Sequence, residues 1–209
     1  MKTEELFAAI RQNDAAAVAA LLDEDRALLG ATSNDITPIL FAVYYGHAEL
    51  AQLFIDRGVQ LSPGELAALG DRRALDGDLN ARSKDGFPLL GLAIFFRHPD
   101  LARELIERGA DINARANNPA GVMPVHAAAA VRDVETMRLL LDRGADMNAR
   151  QQLGFTPLHG AANSGDAAMA DLLLSRGADP RATTEDGKTP ADVADERGHA
   201  ELAARLRSA

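Results

Sequence analysis

Three stretches near the C-terminus decide the reading: VMPVHAAAAVRDVETMRLLLDRGADMNAR at 122–150, FTPLHGAANSGDAAMADLLLSRGADPRAT at 155–183, and KTPADVADERGHAELAARL at 188–206. Pro124, Pro157 and Pro190 stand 33 residues apart, and so do Gly144 and Gly177. A fixed period of this size is the mark of a repeat architecture, in which each unit cannot bury its apolar face alone. Each Thr-Pro reads as a helix start. Thr caps free backbone N–H groups, and Pro sits in the first turn, where its missing N–H costs nothing. Small residues follow (Ala128, Ala129, Ala161, Ala162) and let neighbouring units approach closely. Gly46-His47, Gly165-Asp166 and Gly198-His199 read as the end of this first helix, where Gly tolerates a positive φ. A second helix then presents Leu139, Leu140, Leu172 and Leu173 to the core at helical spacing. It ends at Arg57-Gly58, Arg108-Gly109, Arg143-Gly144 and Arg176-Gly177, with a cation where the helix dipole favours one. The Ala-Asp-x-Asn that follows reads as a hairpin loop.

The same pattern runs upstream, as ITPILFAVYYGHAELAQLFIDRGVQL at 36–61 and FPLLGLAIFFRHPDLARELIERGADINAR at 87–115. Taken together these residues resemble the ankyrin-repeat family, whose unit reads roughly D-G-x-T-P-L-H-x-A-A-x-x-G-H with a period of ~33. The resemblance covers nearly the whole chain. It implies an all-α solenoid of stacked helix pairs with hairpin loops, in a single domain over 1–209. Within it, 1–33 reads as an N-terminal cap whose buried face is Leu6, Phe7, Ile10, Val18, Leu21 and Leu22. Repeats follow at 34–62, 83–115, 116–150 and 151–183, and a C-terminal cap at 184–209. Residues 63–82 depart from the pattern. Between Asp71 and Asp76 there is room for about one turn, against the ~10 residues of an ordinary second helix, so a truncated repeat is expected, the alternative being a long insertion in the hairpin loop, with disturbed stacking either way. In the next unit Pro88-Leu89-Leu90-Gly91 replaces T-P-L-H, and Arg97 replaces the helix-ending Gly.

Composition narrows function. The chain has 209 residues, 47% of them hydrophobic, which suffices for a sizeable core. It has no Cys, hence no disulfide or thiolate metal site. A formal net charge of -9 disfavours nucleic acid or an anionic membrane as partner and suits a partner with a basic surface. No signal peptide or membrane span is apparent, so cytoplasmic residence is expected. No catalytic motif stands out. His126 and His159 fall at the T-P-L-H position, and His47, His98 and His199 at the Gly-His position, so the repeat accounts for every histidine. Asp111, Asp146 and Asp179 recur at the hairpin, and Asp76, Asp78 and Asp85 lack calcium-loop spacing. The expectation is a non-enzyme with no cofactor or metal.

The resemblance implies a monomer that binds a protein on its concave face, built of hairpin tips and exposed first-helix positions. Carried onto this chain, that surface includes Tyr44, Tyr45, Phe95, Phe96 and Val131 before the helix-ending residue, and Phe87 and Phe155 before the next helix start. Arg57 and Arg108 are expected at its rim, with Asp85, Asn117 and Arg143. Six of the nine aromatic residues fall there. Large aromatics bury much area at little cost in side-chain entropy and so make binding hot spots. A scaffold or adaptor is the leading role. An inhibitor of the toxin-immunity kind, or an effector delivered to a host cell, are alternatives. Arg greatly outnumbers Lys and Ala is abundant, a composition that suggests a bacterial source.

Overall fold

The computed structural model describes residues 2–209. Among the described residues thirteen α-helices run in chain order: α1 (Lys2–Arg11), α2 (Ala15–Glu24), α3 (Pro38–Tyr44), α4 (Ala48–Asp56), α5 (Pro63–Ala68), α6 (Leu89–Phe95), α7 (Pro99–Glu107), α8 (Pro124–Ala130), α9 (Val134–Asp142), α10 (Pro157–Ser164), α11 (Ala167–Ser175), α12 (Pro190–Glu196) and α13 (Ala200–Arg207). Among the described residues the only β pairings are two isolated bridges, Ser33 with Ile36 and Arg82 with Pro88. Among the described residues no helix is long and apolar enough to cross a membrane. The fold is the expected all-α solenoid.

The helices form two rows. First helices stack in the order α1, α3, α5, α6, α8, α10, α12. In the second row α2 packs on α4, α7 on α9 and α9 on α11. First helices start as their sequence requires: Thr37, Thr156 and Thr189 accept from the backbone N–H groups of Leu40, His159 and Asp192, and Pro38, Pro157 and Pro190 occupy the first helical position. They end on left-handed residues: Gly46, Gly70, Gly165 and Gly198, but also Arg97 (φ 62) and Arg132 (φ 58), where a Cβ makes that conformation costly. Second helices α2, α9 and α11 are capped by Asp14, Asp133 and Asp166, whose carboxylates accept from Ala17, Thr136 and Met169 N–H.

The recurrent Asn and Arg of the hairpins form two ladders. Asn80, Asn113 and Asn148 each accept from the backbone N–H of the next unit's Asp111, Asp146 and Asp179, at 2.7–3.0 Å. Arg82, Arg115 and Arg150 donate onward to the carbonyls of Arg115, Arg150 and Thr183. The unit at 36–61 carries Val59-Gln60-Leu61 in place of Ala-Asp-x-Asn and joins neither ladder.

Between Asp71 and Asp76 the chain makes one 3-10 turn, Arg72–Leu75, capped by Asp71. Helix α5 is also one residue shorter than α3. The apolar core divides at this unit. One buried cluster runs from Leu6 to Phe54 and another from Leu66 to Leu206, with half-buried Leu61 packed against both.

Candidate protein-binding surface

The site follows from one position in the repeat, the fourth residue of T-P-L-H. Successive units place Leu40, Glu65, Gly91, His126, His159 and Asp192 there. His159 is fully buried. Its Nδ1 accepts from Thr156 N–H at 3.2 Å and meets Thr156 Oγ at 2.8 Å, while Nε2 meets the Lys188 carbonyl at 3.1 Å. His126 repeats this, with Met123 N–H at 3.2 Å and the Ala149 carbonyl at 3.0 Å. Burial, the largest influence on each, pushes both imidazoles below the usual histidine pKa. These groups tie one unit to the next loop. Asp192 keeps the local half of the tie, accepting from Thr189 N–H at 2.9 Å and from Thr189 Oγ at 2.6 Å. Glu65 accepts from Ser62 N–H and Oγ and reaches back to Thr37 Oγ.

Gly91 has no side chain to make the tie, and a pocket of about 180 Å³ opens over it. Tyr44, Phe87, Phe95, Val122 and Ala130 wall it, and its surface is almost wholly apolar. Since a water molecule takes up about 30 Å³ in the liquid, the space suits one large side chain. His126 also borders it, but both its ring nitrogens are already engaged.

The aromatic residues sort into three groups. Tyr44, Phe87 and Phe95 converge on the pocket. The Tyr44 hydroxyl donates to Asp85 Oδ2 at 2.8 Å, and its pKa is driven far above the tyrosine norm, first by burial and then by the Asp85 charge. Phe95 is 46% exposed on the outer edge. Phe96 is half-buried between Tyr44 and Phe95, with ring centroids 5.2 and 5.3 Å away. Tyr45 is 46% exposed but turns toward the N-terminus, packing on Phe41 and His47. Phe155 is half-buried against the His159 ring.

Three expected surface residues need correction. Val131 is 8% exposed and belongs to the core. In this helix Ala130 points outward and the next residue, Val131, turns back toward the buried side, one step of about 100° around the helix. Arg57 and Arg108 do not rim the aromatic surface. Both close second helices: Arg57 donates to Asp23 and the Ala19 carbonyl, and Arg108 pairs with Glu104. Asp85, by contrast, does lie beside the aromatic surface, where it accepts from Tyr44 and Ser83. Gly91, Leu92 and Gln151 belong to the pocket without having been singled out as site residues. The signal was Gly at a position where other units carry a bulky side chain.

Among the described residues no cluster of three or more His, Asp or Glu side chains could hold a metal ion. The lining of the pocket is apolar, and what this geometry offers is shape and apolar area. No curated protein matches the chain. The family model described as ankyrin repeats in three copies matches at residues 6–116, 90–184 and 125–208. Those overlapping spans take in all but the ends of the sequence, so the chain belongs to the ankyrin-repeat family.

Proposed function

We propose that this chain is a scaffold or adaptor that holds a protein partner on its first-helix face, with one large apolar side chain of the partner seated over Gly91. The pocket carries this reading. It lies where the repeat's own tie is deleted, and exposed Phe95 stands at its edge. Ankyrin repeats generally mediate protein–protein interaction, which supports a protein as the occupant. An anchor side chain in a desolvated pocket beside aromatics has the anatomy of an interface hot spot. The net charge of -9 favours a partner whose contacting surface is basic.

The test is affinity capture from the source organism with three baits: the unaltered chain, Phe95→Ala and Gly91→His. Gly91→His restores a side chain that fills the pocket, and a Cβ there meets only Pro88, at 3.3 Å. A protein held by the unaltered chain and lost from both variants is the expected result. The same proteins on all three baits would place the binding elsewhere.

A further inference from the structure

The truncated unit leaves a second opening, in the row of second helices. A helix in that row offers one stripe to the second helix of the next unit. At the third residue before the closing Gly, Ile106 is 4% and Leu141 9% exposed. The equivalent residue of α4, Ile55, is 36% exposed. Its neighbour should have been the second helix of the truncated unit. The 3-10 turn that stands there leans the other way: Arg72 pairs with Glu104 of α7 at 2.6 Å, and Ala74 and Leu75 join the core cluster beyond. A groove of about 390 Å³ remains, with Ala48, Ala51 and Ile55 on one wall and Leu69, Phe96 and His98 on the other.

Charge shows the same vacancy. Arg57 pairs with Asp23, and Arg176 with Asp142, each tying a second helix to the one before it. Asp56 stands just before Arg57 as Asp142 stands just before Arg143, so its cation should come from the missing helix. Asp56 is exposed, and among the described residues it makes no salt bridge and receives only Gln52 Nε2, at 2.7 Å. Across the gap Arg108 pairs with Glu104 of its own helix, and not with the turn that stands in the unit before it.

We infer that this groove docks an amphipathic helix of a partner protein, which takes the place of the missing second helix. The guest lays an i, i+3, i+4 apolar stripe along Ala48, Ala51 and Ile55, a length of about 10 Å or two turns. It carries Arg or Lys in its last turn opposite Asp56. The groove is a different opening from the Gly91 pocket, although Phe96 on its far wall packs against Tyr44 and Phe95 of that pocket.

The chain's own α11 supplies a probe of this chemistry, because Arg176 closes it and pairs backward with Asp142. A labelled peptide of residues 166–178 is made helical by Ser175→Lys with a lactam to Asp171, both exposed in α11. It is titrated with the full chain by fluorescence anisotropy. Saturable binding is expected, weakened about tenfold or more by Ile55→Lys and about threefold by Asp56→Arg. The peptide with Arg176→Glu should recover affinity for Asp56→Arg, and Leu153→Lys, at an exposed apolar residue outside the groove, should leave binding unchanged. Absence of saturation would overturn the inference, as would binding indifferent to both α4 variants or lost with Leu153→Lys. Sedimentation showing a dimer that Ile55→Lys dissociates would assign the groove to a second copy of the chain instead.

Discussion

Residues 116–183 and residues 34–82 use the same helix-pair plan with opposite success. In the former, His126 and His159 tie first helices to the following loops, and α9 and α11 stack directly. The Asn and Arg ladders secure every hairpin from residue 80 onward. In the latter, Leu40 makes no such tie, Val59-Gln60-Leu61 is outside the ladders, and one second helix has shrunk to a turn. Both open surfaces, the Gly91 pocket and the α4 groove, lie at or beside the irregular unit. Repeats stabilise one another only through neighbouring interfaces. An interface given up for binding is therefore a local loss of stability, and the two regions should differ measurably.

The sharpest probe of the regular region is His159→Ala. It removes three polar contacts from a fully buried group and should lower unfolding free energy by about 3 kcal/mol in chemical denaturation. A change below ~1 kcal/mol would mean the tie does not secure the stack. The same variant tests a pH effect. Because the folded-state pKa values of His126 and His159 lie below the ordinary 6.5, the unfolded chain binds more protons as pH falls past 6.5. Stability should be full above that value and decline below it, less steeply in His159→Ala.

Native-state hydrogen exchange compares the regions directly. The core divides near Leu61, so amides of α3 and α4 should exchange through openings about 2 kcal/mol less costly than those of α10 and α11. A common opening energy across all four helices would show that the truncated unit couples its neighbours as well as a whole one. The smallest effect is expected at Arg97, which closes α6 at φ 62. Arg97→Gly should stabilise the chain by about 1 kcal/mol in thermal melts, and destabilisation would show that its side chain contributes more than its backbone costs.

The fold was legible because its punctuation is local. Thr-Pro starts and Arg-Gly stops mark helix ends by cap chemistry that needs no distant partner. The short turn at 72–75 was legible for the same reason, as a count of residues between caps. The surface was less so. Gly91 was visible as a departure from T-P-L-H, but that its absence of side chain opens a pocket depends on Tyr44 and Val122 from other units. Val131 was misplaced because a one-residue step around a helix turns a side chain by about 100°. Arg57 and Arg108 were misplaced because their acidic partners, Asp23 and Glu104, are chosen by side-chain packing in the second-helix row. Glu65 and Asp192 show the converse: chemically unlike residues fill the histidine's position and retain part of its bonding.

Titration of a purified captured partner against the unaltered chain and Gly91→His tests most directly whether the vacancy over Gly91 is a binding site. An affinity at least about tenfold lower is expected for Gly91→His, with a melting temperature equal to or above that of the unaltered chain. Equal affinity for the two proteins, with the variant folded, would contradict it.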